Sequence, residues 1–338
     1  VLGRGKQIHE STAGRVEEIQ RMHREDPGAL VDYNLEDSRL VLEILAREGL
    51  LDLTLERSLL SGMQLDRVGA SIASFDLVYL PALREHGFVA PSVDRERKQV
   101  PVRGGAVLDS VPGLFRNVAL FDFKSLYPSI IRTFQIDPLG HLPRPAPDDD
   151  PIVAPNGAAF RREPGILPQL LDELFPRREA AKAAGDKVAS QAIKILMNSF
   201  YGVLGTSACR FALPALANAI TGFGKEILLW SKSRIEGYGH EVLYGDTDSL
   251  FVRPATEDAE EAKRIGDELV SKLNRDLSEH IAEKWRVESR LELEFERLYL
   301  RLLLPAVRHG SAGARKRYAG LVRAGEGTEV VFTGMEVV

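Results

Sequence analysis

Residues 117–123 constrain this chain more than any other stretch: they are apolar except for Asn117 and Asp122. A short continuous apolar run reads as a strand buried on both faces. A carboxylate near the end of such a strand is costly unless something pairs with it. Two further acids stand far along the chain. Residues 241–244 and 249–252 are β-type runs flanking Gly245-Asp246-Thr247-Asp248, which reads as a hairpin. Held together, Asp122, Asp246 and Asp248 would repel one another, and a divalent cation removes that cost. Hard ions such as Mg²⁺ take carboxylate oxygens and phosphates. Two such ions, about 4 Å apart, clamp the attacking and leaving oxygens of an in-line phosphoryl transfer. That chemistry needs positioning and charge neutralisation more than covalent help. Each motif alone has a plainer reading, because Asp and Gly suit hairpin turns and Asp122 by itself is a strand-end residue.

The rest of the sequence supplies helices around these strands. Residues 15–86 read as helical, with Asn34 a candidate cap for a helix reaching about residue 48 and Asp66 for one through Ala70, Ile72, Phe75 and Tyr79. Residues 88–105 shift to Pro, Gly and charge, the mark of a connection, and residues 137–164, rich in Pro and Asp, read as loop. Helical patterns over 168–184 and 187–203, broken at Gly185-Asp186, predict an antiparallel helical hairpin. Further helices are expected over 213–236 and 257–284, with strands in the remainder. The expected fold class is α+β.

Composition bounds the function classes. With 338 residues, 44% hydrophobic and 28% charged, the chain has room for two or three structural units. No apolar run approaches the roughly 20 residues that span a bilayer, and residues 1–10 lack the basic head of a signal peptide, so a cytoplasmic location is the default expectation. The single cysteine, Cys209, excludes an internal disulfide, and with seven histidines a structural zinc site is not expected. A net charge of -5 argues against nucleic-acid binding only if local basic surface is ignored. The chain starts without methionine and stops on an apolar run, Val330 to Phe332 and then Val337-Val338, so it reads as part of a longer one.

Taken together the motifs resemble those of family B DNA polymerases. Asp122-Phe123-Lys124-Ser125-Leu126-Tyr127-Pro128-Ser129-Ile130-Ile131 resembles the first polymerase motif of that family. Lys194-Ile195-Leu196-Met197-Asn198-Ser199-Phe200-Tyr201-Gly202 resembles the second, and Tyr244-Gly245-Asp246-Thr247-Asp248-Ser249 the third, in the family's order. Arg315-Lys316-Arg317-Tyr318 is similar to its Lys-Lys-x-Tyr element, with arginine first. Residues 204–211 and 317–321 resemble the bacterial members in particular.

The resemblance implies a polymerase palm with an antiparallel sheet (101–164 and 213–338), an inserted helical fingers hairpin (165–212) and an amino-terminal remnant of a 3′–5′ exonuclease domain (1–100). It implies two Mg²⁺ ions, with Mn²⁺ a substitute, held by Asp122, Asp248 and the backbone carbonyl of Phe123, with Asp246 beside them. Backbone N–H groups of Ser125 and Leu126 would cradle a triphosphate, and Tyr127 would exclude a ribose 2′-hydroxyl. On the second hairpin helix Lys194, Asn198 and Tyr201 share one face, and on the first Arg178 and Lys182 share the same spacing. These cations would meet the incoming nucleotide, with Asn198 and Tyr201 approaching the base pair. The plainer reading of Arg178 and Lys182 is a solvated helix face. Arg315, Lys316, Arg317 and Tyr318 would contact primer–template DNA from an exposed strand; the plainer reading is a charged sheet edge. The acidic run Glu292-Leu293-Glu294-Phe295-Glu296 is expected in the same sheet, its metal-facing member open.

Tyr33-Asn34-Leu35-Glu36-Asp37 resembles the third exonuclease motif, yet no Asp-x-Glu precedes it, and one carboxylate cannot run two-ion hydrolysis. Proofreading is therefore expected to be incomplete here, and Asp37 is left out of the active set. The thumb is expected after Val338, with Gly334-Met335-Glu336-Val337-Val338 as the last palm strand. The implied activity is DNA-directed DNA synthesis from deoxynucleoside triphosphates in repair or lesion-related replication. A sliding clamp is a candidate partner through a segment outside this sequence. A non-catalytic DNA-binding module has no chemical need for Asp122, Asp248, Lys194 and Tyr127 together, and a nuclease needs the missing acids.

Overall fold

The computed structural model describes residues 12–335 apart from 68, 95, 100, 103, 147, 308–311 and 326. The expectations for residues 1–10 and for 336–338 lie outside the described residues. The chain divides into two compact units, one of residues up to Ala70 with Arg177–Leu196, the other of Ser71–Pro176 with Met197–Val338.

The first unit is helical: α1 (Thr12–Glu25), α2 (Pro27–Arg47), α3 (Leu50–Ser61) and a short 3-10 helix Leu65–Arg67, with the outer turns of a helical hairpin. Asn34 is not a cap. It lies inside α2, which starts seven residues earlier at Pro27, where the Asp26 carboxylate accepts the Ala29 N–H at 3.0 Å. Asp followed by Pro at the first helical position is the stronger start, since proline has no N–H to leave orphaned. Asp66 caps no helix either; it sits within the 3-10 turn, and α4 (Ser71–Glu85) begins only after it.

The second unit is built on a six-stranded antiparallel sheet. Its strands are β1 (Gly113–Phe123), β5 (Glu241–Asp246), β6 (Ser249–Arg253), β7 (Leu293–Leu304), β8 (Tyr318–Ala324) and β9 (Gly327–Thr333), in the order β5-β6-β1-β7-β8-β9. The expected buried strand is thus central. β1 pairs with β7 along its length and with β6 over residues 119–122; residues 117–121 are buried, which fits the apolar run there, while Leu114 and Arg116 are exposed. Residues 106–111 lace the outer edge of β5, with Leu108 N–H donating to Gly245 and Val111 N–H to Leu243.

Pleat alternation sorts the two faces. Phe121 meets Phe295 at 5.6 Å, and Gly266 of α9 (Ala259–Trp285) lies against the Phe295 ring, so helix covers that face. Val118, Leu120, Tyr244, Phe251 and Tyr299 form a buried cluster on the other. Behind the helical face, α8 (Pro214–Gly237) and α5 (Leu126–Thr133) are joined by Phe223 stacked on Phe134 at 3.7 Å.

Residues 137–164, expected to be loop, contain a small second sheet. Its strands β2 (His141–Leu142), β3 (Ile152–Val153) and β4 (Ala159–Phe160) have two residues each. Two residues are too few to show an alternation in sequence. The predicted helical hairpin is present as α6 (Ile166–Ala183) and α7 (Lys187–Leu204), with Gly185 in the left-handed region at the break. Among the described residues no helix is long and apolar enough to cross a membrane.

Candidate active site

A single row of residues crosses four strands. Asp122 of β1 lies opposite Ser249 of β6 and Glu294 of β7, and Ser249 lies opposite Asp246 of β5. Directly opposed residues share a face, so Asp246, Ser249, Asp122 and Glu294 line one side at the carboxyl end of β1. This register makes Glu294 the glutamate of the acidic run that stands beside Asp122.

The β5–β6 connection is a two-residue turn, Thr247-Asp248, with Thr247 at φ 56°. Left-handed backbone suits tight hairpins because it follows the strand twist. Three hydrogen bonds fix this one. Thr247 N–H donates to Ala106 at 2.7 Å, Asp248 N–H to the Asp246 carbonyl at 2.6 Å, and Phe123 N–H to the Asp248 carbonyl at 2.8 Å. The last of these joins the end of β1 to the hairpin tip, so Asp122 and Asp248, distant in sequence, stand on hydrogen-bonded backbone. Both are partly exposed.

Past Phe123 the chain turns sharply. Lys124 N–H donates to Glu292 at 2.9 Å, Ser125 takes φ 50°, and α5 starts at Leu126. The first N–H groups of a helix have no intrahelical acceptor, which suits Leu126 to anion binding. Tyr127 rests on Tyr201 of α7 at 4.5 Å between ring centroids. Burial, then the neighbouring Tyr201, Asp248 and Asp246, hold the Tyr127 hydroxyl well above its ordinary pKa. A neutral phenol thus faces the carboxylates. Gly105 approaches so closely that a Cβ there would lie 2.6 Å from Thr247 Oγ1 and 2.8 Å from the Tyr127 hydroxyl.

Asp246 has a protein partner. Lys316 Nζ lies 2.8 Å from its Oδ1, and the Lys316 N–H donates to the Tyr244 hydroxyl at 2.8 Å. The basic run departs from expectation in one respect: Arg315 and Lys316 occupy a turn ahead of β8 rather than a strand, with Lys316 at φ 58°. Nor is β8 an edge, since β9 flanks it. Arg315 pairs with exposed Asp109 at 3.1 Å, while the Tyr318 ring packs on Phe251 at 5.0 Å. Lys124 reaches Glu292 at 3.4 Å and Glu294 at 3.9 Å.

The structure therefore gathers Asp122, Phe123, Ser125, Leu126, Tyr127, Tyr201, Asp246, Asp248, Lys316 and Tyr318 around the β1 end and its neighbours in the second unit, where exposed Asn198 also lies on α7. Arg178, Lys182 and Lys194 belong to the first unit: Arg178 is buried on α6, Lys182 pairs with Glu179 at 3.1 Å, and Lys194 is exposed on α7. Among the described residues no three His, Cys, Asp or Glu side chains converge as a metal cluster. The donors at hand are two carboxylates with backbone carbonyls, all hard oxygen, which leaves positions for substrate oxygens and suits Mg²⁺ or Mn²⁺ over softer ions. Sequence reasoning missed Gly105, the Tyr244 hydroxyl and the pairing of Lys316 with Asp246. Only Tyr244 carried a signal, as the first residue of its motif.

Comparison with known proteins fits this arrangement. A model of DNA polymerase family B matches residues 68–338. The chain is 44% identical over 345 residues to DNA polymerase II of Escherichia coli (strain K12), covering 100% of this chain and 43% of that protein. To the DNA polymerase of Thermococcus gorgonarius it is 31% identical over 326 residues, covering 90% and 39% respectively. Among solved structures, the family B DNA polymerase from the hyperthermophilic archaeon Pyrobaculum calidifontis aligns with a TM-score of 0.62 and 29% identity, over 96% of this chain and 41% of that one. The chain spans less than half the length of these relatives. The acid-bearing end of β1 and the hairpin beside it are thus set in a sequence that matches one lineage along most of its length, and the chain belongs to DNA polymerase family B.

Proposed function

We propose that this chain carries the nucleotidyl-transfer centre of a DNA-directed DNA polymerase, in which a primer 3′-hydroxyl attacks the α-phosphate of a deoxynucleoside triphosphate. The observation that carries the reading is the 2.8 Å bond from Phe123 N–H to the Asp248 carbonyl, which holds Asp122 and Asp248 on adjoining backbone. The six-stranded sheet is the palm and the α6–α7 hairpin the fingers.

Asp122, Asp248 and the Phe123 carbonyl would hold two Mg²⁺ ions, which when bound neutralise charge on the attacking and leaving oxygens. The remaining roles fall to the chain itself. Leu126 and Ser125 N–H groups receive phosphate oxygens at the start of α5. Tyr127, braced by Tyr201, fills the space a ribose 2′-hydroxyl would need. Lys316 neutralises Asp246, so this third acid adds no uncompensated charge beside Asp248. Arg178, Lys182 and Lys194 bind the triphosphate, and Asn198 and Tyr201 approach the nascent pair. Arg315, Lys316, Arg317 and Tyr318 meet the primer–template backbone, independent of base sequence. We propose in addition a role in repair or lesion-related replication and a sliding clamp as partner.

The test is primer extension with Mg²⁺ by the full-length protein, wild type against Asp248→Ala, with DNA affinity measured alongside by fluorescence anisotropy. Removing a metal-holding carboxylate is expected to cost roughly 10³-fold or more in rate, with DNA affinity changed little. Equal extension by both proteins would defeat the assignment.

A further inference from the structure

The helix α5 has eight residues, Leu126–Thr133, too few to hold its own orientation. Its first turn carries the residues to which the proposed function assigns triphosphate binding and sugar exclusion. Its direction and rotation about its axis are therefore set by what it touches. One contact lies at its start, Tyr127 on Tyr201. Along its buried face it packs on α8, where Gly224 lies against Leu126, Tyr127 and Ile130, and Phe223 stacks on Phe134 just past its end. A polar contact lies at its last turn, on α6.

There the Arg132 guanidinium places Nε 2.7 Å and Nη2 2.6 Å from Asp172 Oδ1 and lies over the Phe175 ring at 4.3 Å. The Arg132 side chain is only 15% exposed, whereas Asp172 is 52% exposed. A solubilising pair would leave both in water, so burial of the cation against a ring marks a packed junction. The segment it grips is itself fixed. Gln135 takes the Gly165 N–H at 3.3 Å and donates to the Arg132 carbonyl at 2.8 Å. Asp137 takes the Leu167 N–H at 2.8 Å. Just past this junction comes Pro176, which cannot donate to the Asp172 carbonyl, and the second unit's share of α6 ends at that residue. The base of α6 is thus a bolted platform with a weakened turn immediately beyond it.

We infer that Arg132 is a positioning residue: through Asp172 and Phe175 it locks the rotation of α5 and so sets the sugar selectivity of Tyr127. The inference rests on the polymerase reading and adds the residue that orients its sugar-excluding side chain. If the lock is released, α5 shifts against α8, and Tyr127 loosens from its seat on Tyr201. The ribose 2′-hydroxyl then gains room.

The experiment compares kcat/KM for single-nucleotide incorporation of dATP and ATP by the full-length wild type, Arg132→Ala, Asp172→Asn and the double variant, with primer–template affinity measured in parallel. Each single variant is expected to lower the deoxyribose-to-ribose preference roughly tenfold, the double variant no further, and DNA affinity is expected to hold. Effects that add, or a preference unchanged in both single variants while the wild type extends primers, overturn the inference. A wild type that extends no primer sinks the polymerase reading instead. Should Arg132→Ala fail to fold, Asp172→Asn at its half-exposed position carries the test alone.

Discussion

Gly105 shows how little room the site leaves. A methyl group there meets Thr247 on one side and the Tyr127 hydroxyl on the other, all within 2.8 Å. Both neighbours are side-chain ends, so the backbone survives and the site gives way. Gly105→Ala is therefore expected to slow primer extension about tenfold while the melting temperature falls by only a few degrees, checked by extension kinetics beside a thermal melt. An unchanged rate would mean that Thr247 and Tyr127 have slack. At this scale the placement of Asp122 and Asp248 was legible, because an acid interrupting an apolar run marked a strand end and turn residues between two β-type runs marked a hairpin tip. That of Lys316 was not. Nothing in a basic run announces that one lysine adopts a left-handed backbone and turns back to Asp246.

Elements were readable wherever periodicity extended over several turns. The hairpin helices and α8 appear within two residues of expectation, and β1 was placed by its apolar run though it starts earlier, at Gly113. Helix starts were harder. Asn34 and Asp66 have the right chemistry for caps, but a competing Asp26-Pro27 start and a 3-10 turn decided otherwise. A cap that works is Asp258, whose Oδ1 accepts the Glu261 N–H at 2.8 Å at the start of α9. Asp258→Ala should cost about 1 kcal/mol, read as a lowered urea midpoint with an unchanged m-value. No shift of the midpoint would show that tertiary packing alone holds the α9 start.

At the scale of the molecule, Asp137 ties together segments that local sequence cannot connect. Its carboxylate, fully buried, accepts the Tyr79 hydroxyl at 3.0 Å, the Leu139 N–H at 2.7 Å and the Leu167 N–H at 2.8 Å. Residues 137–164 read as loop because Pro and Asp are common there, and the distant partners of Asp137 come from α4 and α6. Asp137→Asn would turn an amide N–H₂ toward at least one of these donors, at a cost of about 2–3 kcal/mol at neutral pH. Burial, the largest influence, raises the Asp137 pKa above 3.8. A carboxyl raised in the folded state takes up a proton on folding. Its contribution favours the folded state most below the unfolded value and declines as pH rises through the folded one. Wild type should therefore gain on Asp137→Asn as pH is lowered from neutral toward 4, measured by urea melts at the two ends. A constant gap would show that folding leaves this acid's titration unchanged.

The strand order has a consequence for how the protein is made. β1 leaves the ribosome well before either of its sheet neighbours; Lys124 and Glu292, which close one side of it, are 168 residues apart. Until β7 emerges, this eleven-residue strand, apolar over residues 118–121, waits without a ladder partner on that side. Such pairings form slowly and leave nascent chains prone to sticking. A translational pause between β1 and β7 is therefore expected to lower the yield of folded chain, because it lengthens the time in which one nascent chain can pair with another.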